Sequence, residues 1–189
     1  MQYWINEKDI EPDTSLALYR CVVAWAADHS RYFIMTLQSG IYNHPEDEKR
    51  LCALGKVKTI PVSEPTELEN QLFQEVITLV SSLGDLVELR VGEKTTKILQ
   101  VQGIPNEELV RELTLQVAPD KAISGDTCPA EDLEMFIGDR RLYALSDYGR
   151  TQVLDVTTGE INSLHQTLRQ NELDPSHIVP VPNDVYETQ

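Results

Sequence analysis

The stretch EMFIGDRRLYALSDYGRTQVLDV, residues 134–156, decides the fold. Three runs rich in alternating apolar residues, EMFI, RLYALS and TQVLDV, are separated by the small polar turns Gly138-Asp139-Arg140 and Asp147-Tyr148-Gly149. Alternation with period two marks strands with one inward face, and short links containing Gly and Asp make consecutive strands antiparallel neighbours. Nothing reactive stands at the tips, so the segment predicts a meander rather than a catalytic loop. Thr157-Thr158-Gly159 adds a further turn signal after the third run.

Working outward, LALYRCVVAWAA at 16–27 follows a candidate N-cap at Asp13 or Thr14, and its four alanines favour a buried helix. Cys21, Val22, Val23 and Trp25 also fit a strand, because periodicity does not separate short apolar runs. RYFIMTLQ at 31–38 reads as a strand buried on both faces, with Phe33, Met35 and Leu37 on one side and Tyr32 and Ile34 on the other. SGIYNHPEDEKR reads as a loop. A short strand at 56–60 ends at Pro61, and Gln2 to Asn6 makes a candidate edge strand.

The clearest helical pattern starts at Ser63, with Glu64, Pro65 and Glu67 suited to a first turn and Gly84 to the stop. Leu68, Leu72, Val76, Leu79 and Leu83 form its stripe, expected to pack on a sheet containing Phe33, Met35, Leu89 and Leu99. DLVELRV and KTTKILQV then read as a hairpin about Gly92-Glu93, and EELVRELTL, opened by Pro105-Asn106, as a short acidic helix.

Strands grouped beside helices, without strict strand–helix–strand alternation, place the chain in the α+β class. The expected architecture is an antiparallel sheet or meander packed against one long helix and one or two short ones. Residues 1–171 read as a single α+β domain. The irregular 118–132 region is where a subdomain boundary would fall. Residues 172–189, with Pro175, Pro180 and Pro182, read as an acidic tail that is a poor helix or strand.

The 189 residues carry 31 acids against 16 Lys and Arg, a formal net charge of −15. The acidity is local: residues 64–93 hold seven acids and one base, Arg90, and residues 105–134 hold eight acids against Arg111 and Lys121. Nucleic-acid affinity rests on basic side chains neutralising phosphates, so direct nucleic-acid binding is not expected. An anionic membrane would repel the chain as well, and no run approaches the roughly 18 apolar residues of a spanning helix. With no secretory pattern at its start and three widely spaced cysteines, it reads as cytoplasmic with reduced thiols. Fields of this sign attract basic proteins, although many proteins carry acids only for solubility.

No phosphate-binding glycine loop, dinucleotide fingerprint, nucleophile elbow, HExxH or CxxC occurs. Cys21, His29, His44 and Cys52 have the chemistry of zinc ligands but not the close pairing of zinc sites, so no metal is expected. Cys128, in TCPAED, could lie at a helix start that lowers a thiol pKa, but Glu131 and Asp132 oppose a thiolate. Acid pairs such as Glu46, Asp47 and Glu48 beside His44 need convergence from other elements to act chemically. No cofactor is implied.

Two functions follow. The first is a non-enzymatic acidic protein-binding module, of inhibitor, immunity or adaptor type, that meets a basic partner through Glu88, Glu93, Glu107, Glu108, Glu112 and Tyr148. The second is a small enzyme with a site assembled from distant residues such as Cys128, His44 and His165.

Overall fold

The computed structural model describes residues 1–6, 10–38, 45–61, 97–115, 130–146, 149 and 151–181. In chain order the elements are β1 (Gln2–Ile5), α1 (Pro12–His29), β2 (Tyr32–Gln38), α2 (Pro45–Ala53), β3 (Lys56–Pro61) and β4 (Lys97–Gly103). There follow α3 (Glu107–Leu115), β5 (Asp132–Ile137), β6 (Arg140–Ser146), β7 (Thr151–Asp155), α4 (Thr158–Gln170) and, after a single 3-10 turn, β8 (Ile178–Pro180). The expected helix over 64–83, its stripe from Leu68 to Leu83, and the hairpin about Gly92-Glu93 lie outside the described residues.

The described strands form one antiparallel sheet in the order β3-β4-β2-β5-β6-β7-β1-β8. The meander at 134–156 supplies β5, β6 and β7 as consecutive neighbours, and β2 joins its β5 edge with Phe33 opposite Met135 and Met35 opposite Leu133. Four helices accompany the sheet among the described residues. The architecture is α+β.

One face of the sheet is the core. Phe33, Met35 and Leu37 of β2, Leu99 and Val101 of β4, Leu133 and Met135 of β5, and Tyr143 and Leu145 of β6 are buried. They join Leu18, Tyr19, Val22, Val23 and Ala26 of α1, Leu109 and Leu113 of α3, and Ile161, Leu164 and Leu168 of α4 in one cluster. Gln152 is buried in the same sheet, and the Tyr143 hydroxyl donates to its Oε1 at 2.8 Å. A buried amide left without that partner would cost the full desolvation of its oxygen. The other face is wetter: Trp4 and Tyr32 are 46% and 37% exposed, and Tyr32 stacks on Phe136 at 4.7 Å. Strand β2 is therefore fully buried on one side only, not on both, because the described helices pack on the Phe33 side.

Four further local expectations change. PEDEKRLCA is helix α2 and not loop, since Pro and acids suit a first turn and Leu51 anchors it in the core. The Thr-Thr-Gly signal is the start of α4 and not a terminal turn. Thr157 Oγ1 accepts from the Glu160 amide while the Glu160 carboxylate accepts from the Thr157 amide, a capping box that satisfies donors at the helix start. Within the expected tail, Ile178–Pro180 forms a strand on β1, with Pro180 opposite Tyr3 at the sheet edge, where a missing N–H is tolerated. Helix α1 starts ahead of Asp13 and Thr14: Glu11 holds the N-cap position without a side-chain hydrogen bond, and Pro12 follows it.

Gly103 lies opposite Phe33, and a Cβ there would meet the Phe33 ring and the Leu54 carbonyl at 2.7 Å. The close approach of β4 to β2 and to the end of α2 requires a residue without a side chain.

Urea unfolding separates the two faces of the sheet. Leu133→Ala should lower the unfolding free energy by roughly 2 to 5 kcal/mol through lost burial and a cavity. Ile34→Ala, on the wetter face, should cost clearly less. Equal losses would show that the sheet is covered alike on both sides.

Candidate functional site

Helix α1 is apolar nearly all round, and only one of its faces can meet the sheet. Leu18, Tyr19, Val22, Val23 and Ala26 turn inward. Ala17, Cys21, Ala24 and Asp28, spaced by four, three and four, turn outward with Arg20. The helix ends at Ser30, whose hydroxyl and amide both donate to the Ala26 carbonyl. In the last turn His29 stacks on Trp25 with ring centroids 4.5 Å apart, and its Nδ1 lies 2.8 Å from the Trp25 carbonyl oxygen.

Helices α3 and α4 flank α1. Asn106 caps α3 by accepting from the Leu109 amide at 2.8 Å, which puts Glu107 and Glu108 in the first turn where the helix dipole favours them. At the other end of α3 the Tyr19 hydroxyl donates to the Leu113 carbonyl and Arg20 to the Thr114 carbonyl, at 3.1 and 3.3 Å. On the opposite flank Trp25 Nε1 donates to Ser163 Oγ of α4 at 3.3 Å.

Because the outward side chains of α1 are small, the flanking helices stand above them. The result is an open groove of about 970 Å³. Ala17, Cys21 and Ala24 line it, Val110 and Asn106–Glu107 stand on the α3 side, and Thr167, Asn171 and Leu173 on the α4 side. Asp28, His29 and Glu107 also line the groove, and Glu108 lies in the adjoining recess with Asn106 and Arg111.

The acids expected to bind a partner fall into different environments. Glu107 and Glu108 are exposed; Glu108 meets Arg111 at 3.3 Å. Glu112 is buried, 7% exposed, and is held by Arg50 of α2 at 3.1 Å and Arg111 at 3.2 Å. It ties α2 to α3. Glu88, Glu93 and Tyr148 lie outside the described residues, as do Cys128 and His44 of the enzyme reading.

His165, the remaining residue of that reading, is on α4 and does not line the groove. Its Nε2 is buried with no hydrogen-bond partner among the described residues. Burial, with the positive charge of Arg169 one turn on, holds its pKa below the ordinary value. Of the zinc constellation, Cys21 and His29 share the groove lining, and no group of three or more potential metal ligands occurs among the described residues. Burial pushes the Cys21 thiol up; burial and the Glu48 charge do the same to Cys52. Both are thereby poorer nucleophiles at neutral pH.

Glu160 anchors the α4 cap. Burial pushes its carboxyl up, but hydrogen bonds from the Thr157 amide and hydroxyl and from Arg140, together with the Arg140 charge, hold it below the usual carboxylate range. Arg140 also donates to the Asp155 carbonyl, so one guanidinium joins β6, the end of β7 and the helix start.

Cys21, His29 and Glu107 were singled out in the sequence for other roles, but nothing in motif or spacing joined them with Ala17 and Ala24 into a groove. Their signal was an apolar helix with alanines on both faces, where a surface helix would show charge. No family model matches the chain, and neither a curated protein nor a solved structure matches it. No described helix is long and apolar enough to cross a membrane.

Two stability measurements check this geometry. Glu112→Gln should lower the unfolding free energy by roughly 1 to 3 kcal/mol, the scale of hydrogen bonds to charged groups. A change within 0.3 kcal/mol would mean that the two arginines do not use the carboxylate. The depressed pKa of His165 stabilises the fold fully above the unfolded value of about 6.5 and loses that contribution as pH falls through the folded value. His165→Gln should therefore flatten the stability profile below about pH 6.5. An unchanged profile would refute the burial of the imidazole.

Proposed function

We propose that the protein is a non-enzymatic binding module that engages a basic partner protein, as an inhibitor, immunity protein or adaptor does. The observation that carries this reading is the open groove along α1, with an apolar floor and with Asp28 and Glu107 on its margin beside Glu108. An apolar strip edged by exposed acids suits protein recognition: desolvation of the strip gives affinity, and the acids steer a cationic surface toward it. The local charge excess of residues 105–134 lies partly on this margin. The same charge disfavours nucleic acid and anionic membranes as partners.

The enzyme reading would need a pocket containing at least two of Cys128, His44 and His165. His165 does not line the groove, and Cys128 and His44 lie outside the described residues.

A partner recovered by affinity purification from the native host, and identified by mass spectrometry, should be basic. Its association rate should fall at least tenfold when salt rises from about 0.05 to 0.5 M, because the screening length shrinks several-fold. Reversing Glu107 and Glu108 to Lys should reproduce the loss at low salt. The double reversal also places two positive charges at the positive end of α3 and breaks the Arg111 pair, so stability should fall by about 1 kcal/mol. A partner whose association ignores both salt and the reversal would overturn the electrostatic reading.

A further inference from the structure

We propose that the partner segment seated in this groove is an amphipathic α-helix, laid along α1 with a small or apolar stripe on Ala17, Cys21 and Ala24 and its Lys and Arg gathered toward Asp28 and Glu107. The inference rests on the binding function proposed above and names the element that is bound.

Three observations specify a helix. First, the floor is one helical face: Asp28 lies eleven positions beyond Ala17 on α1, with Cys21 and Ala24 between them, about 16 Å at 1.5 Å per residue. Helices approach to 8–10 Å, and at the near end of that range only where the contacting side chains are small. Second, the walls are α3 and α4 themselves, with Val110 on one side and Thr167 on the other, continued past the end of α4 by Leu173. A rod lying between two rods can fill the trough along its length, whereas a single extended strand brings side chains to the floor only at every second residue. The volume of about 970 Å³ leaves room for a row of inserted side chains.

Third, the charges are sorted along the groove. Arg20 lies near the Ala17 end and is tied to the Thr114 carbonyl at the C-terminus of α3. Asp28 lies eight residues further along α1, at the end where Asn106 and Glu107 begin α3. Both acids are exposed, and no ion pair holds either of them among the described residues. A helix with evenly spread lysines would meet Arg20 unfavourably. One with its lysines toward one end matches both ends, and the segregation selects against uniformly basic peptides.

The test uses the full chain and a displayed library of fully randomised 18-residue peptides. The expected winners carry apolar or small residues at helical spacing with Lys or Arg toward one end. They should bind at least tenfold more weakly to Ala24→Trp, which fills the floor at an exposed position, with circular dichroism confirming that the variant folds. A central Pro in the winning peptide should weaken binding by a similar factor, and the bound peptide should slow maleimide labelling of Cys21 at least tenfold in a Cys52→Ser, Cys128→Ser background. Winners that tolerate the central Pro, bind Ala24→Trp equally or leave Cys21 reactive overturn the helix proposal. If such winners are still basic, and still lost on reversing Glu107 and Glu108, the binding function stands without it. Failure to enrich any basic sequence overturns both.

Discussion

Burial of one stripe of α1 against the central strands is the constraint on which the remaining structure depends. Leu18, Tyr19, Val22, Val23 and Ala26 share a cluster with Phe33, Met35, Leu133 and Met135, and the longest described helix packs on β5, in the middle of the sheet order. Once α1 is central, α3 and α4 can reach the core only at its sides. The polar contacts follow: Tyr19 and Arg20 satisfy carbonyls at the end of α3, and Trp25 finds Ser163 on α4. A helix at the edge of the sheet would have left one of its flanks without a neighbour.

The same placement creates the groove. A middle helix has an outer face that neither the sheet nor its two neighbours cover, and the height of that face is set by its side chains. Along the floor of α1 these are Ala17, Cys21 and Ala24, with Arg20 drawn aside to the Thr114 carbonyl and Asp28 at the far end. The core requires only the inner stripe, so the small outer residues are not explained by burial in the sheet. They lower the floor between two helices, and the exposed acids edge it. Packing and recognition thus use opposite faces of one helix.

Charge is divided between structural and external tasks. Glu112 is drawn inward and neutralised by Arg50 and Arg111, which fastens α2 to α3. Glu160 is spent on the α4 cap and on Arg140. Glu107, one residue beyond the Asn106 cap, instead faces solvent on the groove margin. Formal net charge gives these acids equal weight. Their neighbours do not.

The meander at 134–156, the α+β class and the helix at 107–115 were legible in the sequence, because period-two alternation, turn chemistry and capping residues are local signals, whereas 16–27 fitted helix and strand alike and its helix starts at Pro12, ahead of the expected cap. Helix α4 was legible in part: Thr157 and Glu160 have capping-box spacing, but Thr-Thr-Gly is equally a turn until Ile161, Leu164 and Leu168 have a core to enter. Only the tertiary structure decided that Ile178–Pro180 would pair with β1, that Arg20 would find the end of α3, that Glu112 would be buried, and that Ala17, Cys21 and Ala24 would floor a groove. Each joins residues far apart in the chain, and sequence spacing carries no information about which distant surface a side chain will meet. Local order follows from neighbours along the chain; the site follows from neighbours in space.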